Sequence, residues 1–224
     1  MEKEMYRKIE EHMLSCMNDG AHDRQHIYRV LYYALELAKG YDADGDVLIA
    51  AALLHDIGRD AQYKNPECDH ALEGAGMAYE YLSEIGWDRD KAAHVRDCIA
   101  AHRYRSSNPP ASIEAKLLFD ADKLDATGAM GIARTLAYQA ITSESLYSVD
   151  ENGDVPPSGL DGEPSFFKEY HWKLKNLYNK FFTNRAKEIA AGRQKAAADF
   201  YESMYSEARE AHEYGRLLLN KALE

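Results

Sequence analysis

Three cysteines in 224 residues are too few and too widely spaced for a disulfide framework or a zinc ribbon. No apolar run approaches the ~20 residues that span a bilayer, and the first residues lack the apolar segment of a secretory signal. We therefore expect a cytoplasmic protein with no membrane partner.

Positive charge is also scarce, with 27 Lys and Arg against 38 Asp and Glu, a net charge of -11. Binding to a nucleic-acid backbone depends on clustered Lys and Arg, so we expect no nucleic-acid polymer as a partner. A small phosphorylated substrate stays compatible, because it needs only a metal and a few cations. The chain also lacks a glycine-rich phosphate loop and a Gly-x-Ser-x-Gly nucleophile motif.

Apolar residues recur at helical spacing, and no segment alternates in the manner of a strand, which predicts an all-α protein. The predicted helices cover residues 3–17, 23–39, 44–56, 69–85, 88–102 and 112 to about 125, with a loop over 57–68. Residues 127–141 either continue the last of these helices or restart it. The helix over 44–56 carries a continuous apolar run, so we expect it to be central and buried.

The stretch 143–165 contains three prolines and three glycines among acidic and hydroxyl residues, which indicates an irregular insertion or a lid. Two long helices are predicted over 166–224, broken near Gly192. They either close over the first 140 residues or mediate a homodimer. We interpret 1–142 as a catalytic helical core on which the helices of 166–224 pack as part of the same domain.

An adjacent histidine and aspartate, His55 and Asp56, end the central apolar helix. An imidazole nitrogen and a carboxylate oxygen within reach of one ion suit Mn, Fe, Ni, Zn or Mg. Two groups cannot complete a coordination shell of four to six. His26 and Asp122 fall on apolar faces of other helices, where an ionised aspartate needs a counter-charge such as a divalent ion. Taken alone, His26 is more readily interpreted as a core or capping residue than as a ligand, and the doublet His55-Asp56 reverses that preference.

In order along the chain, His26, the doublet His55-Asp56 and Asp122 resemble the H…HD…D signature of the HD-domain metal-dependent phosphohydrolase superfamily. The resemblance covers about residues 21–140. It implies an HD-domain-like helical bundle with these four residues as metal ligands between the central helices. Asp120 competes with Asp122 for the last position, and we prefer Asp122 because a basic residue follows it.

His70 and His102 match the places where some members of the superfamily add two histidines and hold a second metal. The resemblance therefore implies one divalent ion (Mn, Ni, Co, Fe or Mg), with a second ion left open. Each of these histidines is equally well interpreted as phosphate-facing or as hydrogen-bonded within the protein.

Cationic residues beside the signature are the candidates for holding phosphate. We assign Asp56 and Arg59 to catalysis, and Arg59, Lys123 and His22 to substrate binding. Arg103 is a weaker candidate, because a solvated charge at a helix end is the favoured interpretation for it. Helix capping explains His22 equally well.

The resemblance implies a metal-dependent hydrolase of a small phosphate ester or anhydride, with a nucleotide as the expected substrate. Release of either phosphate or pyrophosphate is compatible with the sequence. A Gly-Tyr-Pro tripeptide is absent, which lowers the expectation of cyclic-dinucleotide hydrolysis. The alternatives are a di-iron oxygenase on the same scaffold and a non-catalytic, ligand-sensing helical protein.

Overall fold

The computed structural model describes residues 1–17, 24–103, 108–156 and 163–224, and within these ranges it contains helices and no β-strand. The predicted all-α class is confirmed. The helices in chain order are α1 (Lys3–Cys16), α2 (Arg24–Ala38), α3 (Gly45–Leu54), α4 (Arg59–Lys64), α5 (His70–Glu84), α6 (Arg89–Ala101), α7 (Ile113–Asp125), α8 (Gly128–Thr142), α9 (Phe166–Trp172), a 3-10 helix (Leu174–Asn179) and α10 (Asn184–Leu223).

Backbone contacts divide the chain into two compact units. The first unit comprises Met1–Asp125 with Phe181–Ala186, and the second comprises Ala126–Lys180 with Lys187–Glu224. In the described parts of the chain, no helix is long and apolar enough to cross a membrane.

Helix α3 is the centre of the first unit. The side chain of Asp44 caps its start by accepting the N–H groups of Asp46 and Val47. Its apolar side chains from Val47 to Leu54 are buried almost without exception, and it packs against α1, α2, α5, α6 and α7. A helix that is apolar all round must be enclosed in this way. Its carboxyl end therefore emerges inside the unit, where His55 and Asp56 follow it.

The predicted loop over 57–68 was wrong in part, because it contains the short helix α4 (Arg59–Lys64). Six residues are too few to show a helical period. Good helix formers make up most of the segment, and the ammonium of Lys64 lies 2.6 Å from the Asp60 carboxylate one turn earlier. The helix matters for the site because it begins with Arg59.

The predicted break near Gly192 was also wrong, since α10 runs without interruption from Asn184 to Leu223. A glycine inside a helix costs about 1 kcal/mol relative to alanine, which weakens a helix without ending it. The neighbouring alanines and long polar side chains have high helix propensity and outweigh that cost. An added Cβ at Gly192 would meet nothing within 4 Å, so no close packing requires glycine there.

We expect Gly192→Ala to raise the free energy of unfolding by about 0.5–1 kcal/mol, because alanine loses less backbone entropy in a helix. Thermal unfolding followed by circular dichroism measures the change. A decrease in stability would contradict the uninterrupted helix.

Aromatic side chains form the core of the second unit. The rings of Tyr170 and Tyr201 stack with centroids 4.1 Å apart, and Phe167 packs edge-on to Tyr201. The two ends of the irregular stretch are joined, since the N–H of Phe166 donates to the carbonyl of Ser145 over 3.1 Å. Tyrosine in this unit therefore serves helix packing, as amphipathic rings commonly do.

Candidate metal centre

The carboxyl end of α3 presents His55 to the interior. The backbone of His55 continues the helical conformation, and its Nδ1 lies 2.8 Å from the carbonyl oxygen of Ala52. A carbonyl only accepts, so Nδ1 carries the proton and donates. The lone pair of the fully buried ring is therefore on Nε2, which points toward Asp56.

Three other helices bring histidines to the same place. His26 lies near the start of α2, His70 begins α5, and His102 follows the last residue of α6. All are buried. Neighbouring rings in the series His26, His55, His102 and His70 have centroids 5.2 to 5.5 Å apart. The four imidazoles therefore form a continuous cluster in which each ring can face a common centre.

A close approach of two glycines places His70 in this cluster. A Cβ added to Gly58 would lie 2.3 Å from the carbonyl oxygen of His70 and 2.5 Å from the nitrogen of Gly74. The turn between α3 and α4 thus touches the first turns of α5. As a result, His70 Nε2 comes within 3.5 Å of an oxygen of Asp56.

The first half of the centre consists of His26, His55 and Asp56, with Asp122 beside them. His26 Nε2 lies 3.4 Å from His55 Nε2 and 3.5 Å from Asp56 Oδ2. The Oδ1 atom of Asp122 lies 3.3 Å from His26 Nε2 and 4.0 Å from His55 Nε2. The four residues of the predicted signature therefore face one another.

The second half uses the other oxygen of the same aspartate. Asp56 Oδ1 lies 3.5 Å from His70 Nε2 and 3.7 Å from His102 Nε2. Asp56 therefore belongs to two groups whose atoms are close enough to share an ion, His26-His55-Asp56 and Asp56-His70-His102.

The atoms that face this centre fit a divalent cation. Asp56 Oδ1 and His70 Nε2 are buried and have no hydrogen-bond partner in the described parts of the chain, which is rare for buried polar atoms. Ligands on bonds of ~2.1 Å lie ~3.0–3.4 Å apart around an ion, close to the separations in the first half. Imidazole and carboxylate together suit Mn, Fe, Co, Ni or Zn.

The Nδ1 atoms of the other three histidines also have acceptors. His26 Nδ1 lies 2.8 Å from Asp125 Oδ2, His70 Nδ1 lies 2.5 Å from Gln62 Oε1, and His102 Nδ1 lies 2.7 Å from the carbonyl oxygen of Ile99. A proton held on Nδ1 turns Nε2 toward the centre, as it does in many metal sites.

The sequence did not predict the residues that hydrogen-bond to the ligand histidines and hold them in place. Asp125 binds His26, and Arg29 donates to both oxygens of Asp125 over 2.6 and 3.0 Å. One signal was available: Arg29 follows His26 by three residues and Asp125 follows Asp122 by three. That spacing places each pair on one helix face. Gln62 gave no comparable signal, because it lies in the segment predicted as a loop.

The two candidate aspartates of α7 have different partners in the structure. The carboxylate of Asp120 accepts the N–H groups of Phe182 and Thr183 and the hydroxyl of Thr183, over 2.7 to 2.9 Å. Asp122 instead lies beside His26 and His55. This arrangement supports the preference for Asp122 as a ligand.

The candidate phosphate-holding cations lie at different distances from the centre. Arg59 is adjacent to it, with Nε donating to Asp56 Oδ2 over 2.6 Å. The Lys123 ammonium lies over the ring of Phe119, 4.5 Å from its centroid. Arg103 lies 3.7 Å from the carboxylate of Asp69. His22 lies outside the described residues.

Burial and neighbouring charges give the histidines of the cluster different pKa values. Burial lowers the pKa of His55 to about 4 and that of His70 to about 3. Burial also acts to lower the pKa of His26, but hydrogen bonds to Asp122, Asp125 and Asp56 raise it to about 10. Although burial opposes ionisation of Asp56, Arg59 and the imidazoles hold the pKa of its carboxyl well below the usual range.

We expect the affinity for Mn²⁺ to rise with pH by about tenfold per unit between pH 7 and 9. In the metal-free protein His26, with a pKa of about 10, is protonated in this range, and an ion must displace that proton. Calorimetric titration at several pH values measures the affinity, and buffers of different ionisation enthalpy give the proton count. An affinity independent of pH would contradict the raised pKa.

Helices that gather four histidines and two aspartates at one buried centre define a class of all-α metal-binding proteins. A family model described as HD domain matches residues 24–127, the range that holds every residue of the centre. The uncharacterized protein YpgQ of Bacillus subtilis (strain 168) is 30% identical over 185 residues, which cover 81% of this chain and 82% of YpgQ. The chain belongs to the HD-domain superfamily of metal-dependent phosphohydrolases.

Solved structures agree with this membership. The crystal structure of Bacillus subtilis YpgQ in complex with ADP aligns with a TM-score of 0.69 and 25% identity, over 90% of this chain and 97% of that one. An HD-superfamily hydrolase from Bacillus thuringiensis aligns with a TM-score of 0.66 and 32% identity, over 92% of this chain and 97% of that one.

Proposed function

We propose that this protein is a metal-dependent phosphohydrolase that cleaves a phosphate ester or anhydride bond of a small nucleotide. The observation that carries the proposal is the position of Asp56, whose two oxygens face two separate pairs of histidines. A single buried carboxylate between two such pairs suits a centre for one or two divalent ions.

His26, His55, Asp56 and Asp122 would hold the first ion, and Asp56, His70 and His102 a second. When bound, a divalent ion polarises a phosphoryl oxygen and lowers the pKa of water toward neutrality. The protein contributes by fixing its ligands before substrate arrives, because the Nδ1 proton of each histidine is already held by an acceptor.

Arg59 is the residue that we assign to the substrate phosphate. Its side chain is 37% exposed while its Nε donates to Asp56, so the guanidinium lies at the boundary between the centre and solvent. A guanidinium matches two phosphate oxygens in bidentate geometry, and phosphoryl transfer depends mainly on positioning and on charge neutralisation. Lys123, which follows Asp122 directly in the sequence, is the second residue that we assign to the substrate phosphate.

The nucleotide substrate class is supported by the likeness to YpgQ, whose crystal structure contains ADP. The net charge of -11 is unfavourable for polyanions, which is consistent with a small substrate bound through local cations.

The test is a phosphate-release screen of the metal-stripped protein reloaded with Mn²⁺, Co²⁺, Ni²⁺ or Mg²⁺, over nucleoside mono-, di- and triphosphates. Colorimetric detection with and without added pyrophosphatase separates phosphate from pyrophosphate release. We expect activity with at least one ion and none with EDTA. Absence of turnover across the whole panel, in protein that binds metal, would overturn the proposal.

A di-iron oxygenase is the second candidate, and the two histidine pairs around Asp56 are the observation that favours it. Iron accepts imidazole and carboxylate ligands. This candidate requires iron in the protein as purified, a visible absorption band and consumption of O₂ with substrate. A colourless protein that is active with Mn²⁺ under nitrogen would exclude it.

A further inference from the structure

The hydrogen-bond acceptors at Nδ1 of the four metal-facing histidines differ in charge. His26 has an anionic acceptor: Asp125 is fully buried, its Oδ2 lies 2.8 Å from His26 Nδ1, and Arg29 holds both its oxygens. Arg29 fixes the carboxylate in the one orientation that receives the imidazole. Histidine with a carboxylate behind it is a more basic ligand than histidine alone.

In the second half, both histidine Nδ1 atoms are hydrogen-bonded to neutral acceptors. His70 Nδ1 meets the amide oxygen of Gln62 over 2.5 Å, and His102 Nδ1 meets the carbonyl oxygen of Ile99 over 2.7 Å. These contacts orient the rings. They add no negative charge to the ligands.

The half that contains His26 also has more negative charge among its ligands. Asp122 adds a second carboxylate to the half that contains His26, 3.3 Å from His26 Nε2. The half that contains His70 has only the shared Asp56. The Arg59 guanidinium donates to Asp56 Oδ2 over 2.6 Å, so its positive charge weakens the attraction of the shared carboxylate for an ion in either half.

We propose that the two halves bind divalent ions in order and with unequal affinity, and that Asp125 and Gln62 are the positioning residues that set the difference. The first ion binds at His26, His55, Asp56 and Asp122. The second binds more weakly at Asp56, His70 and His102. The inference rests on the metal centre of the proposed function but not on its substrate or reaction.

The experiment is an isothermal titration of the metal-stripped full-length protein with Mn²⁺ at several pH values, followed by the same titrations of three variants. The series of pH values allows each dissociation constant to be corrected for the proton that the ion displaces from His26. We expect two steps in the unaltered protein. Asp125→Asn keeps the size of the side chain and removes its charge, and we expect the first dissociation constant to rise by about 10–100-fold while the second changes little.

Gln62→Glu is the reciprocal change, since it gives His70 an anionic acceptor. We expect it to lower the second dissociation constant by about tenfold or more and to leave the first nearly unchanged. A gain in affinity cannot result from damage to the fold, so this variant separates the proposal from a merely structural role for Gln62.

Asp120→Asn is the matched control. Asp120 is as deeply buried as Asp125 and lies on the same helix, but it binds Phe182 and Thr183. We expect this variant to lower thermal stability while both metal dissociation constants stay within about twofold of the unaltered protein.

Two equal steps in the unaltered protein would overturn the proposal. So would a loss of first-step affinity in Asp120→Asn equal to that in Asp125→Asn, or a second step that is insensitive to Gln62→Glu. Because all readouts are binding constants, they remain informative if no nucleotide is hydrolysed, and failure of the proposed function can be told apart from failure of this one.

Discussion

Asp56→Ala should abolish phosphate release, with a loss of at least about a thousandfold, equivalent to ~4 kcal/mol of transition-state stabilisation. The substitution removes the two oxygens that face both histidine pairs. It also leaves Arg59 without the carboxylate that holds its Nε. The measurement combines phosphate release at saturating Mn²⁺ with metal content by elemental analysis.

Asp60→Ala is the matched control, because Asp60 is an exposed aspartate in the same segment. It pairs with Lys64 on the surface, and such a pair contributes about 1 kcal/mol or less. We expect this variant to keep activity and metal. Asp56→Ala protein with more than a tenth of the original activity would show that the centre has been assigned to the wrong carboxylate.

Gly58→Ala should destabilise the first unit by about 3 kcal/mol or more, at the upper end of overpacking effects. The added methyl group would lie 2.3 Å from the carbonyl oxygen of His70 and 2.5 Å from the nitrogen of Gly74. Both are backbone atoms, so no side chain can rotate away and α5 must move. We expect the midpoint of thermal unfolding to fall by about 6 °C or more and metal affinity to fall with it.

Gly76→Ala, on helix α5, is the control. An alanine Cβ there meets nothing within 4 Å, and alanine is the better residue inside a helix by about 0.5–1 kcal/mol. We expect a small rise in stability. If Gly58→Ala behaved like Gly76→Ala, the tight packing between the α3–α4 turn and α5 would be refuted.

Much of the fold could be predicted from the sequence, because helical periodicity and terminal residues are local signals. Helix α3 illustrates this, since its apolar run and the capping aspartate before it are both visible in the sequence. The errors concern α4, too short to show a period, and α10, where a glycine was weighted above its helix-forming neighbours. In both cases the competing signal was helix propensity.

The candidate site could be predicted only in part. The signature residues carry a pattern that resembles a known family, so they were accessible. The contact of Asp125 with His26 joins residues 99 positions apart, and the contact of Asp120 with Thr183 joins residues 63 apart. No local pattern shows which of several buried aspartates on one helix meets which partner. That choice depends on how the helices pack.

The aspartates of α7 have a mechanical consequence. At 3.6 residues per turn, Asp120 and Asp122 project about 200° apart around the axis, whereas Asp122 and Asp125 are separated by about 60°. Asp120 is anchored to the backbone at Phe182 and Thr183, and Asp125 is anchored to Arg29 on the other side. The two anchors hold different faces of the helix, so the Asp125 anchor still fixes α7 when the Asp120 anchor is weakened. Asp122 therefore faces His26 and His55 before any ion arrives, and loading an ion requires little rearrangement of the helix.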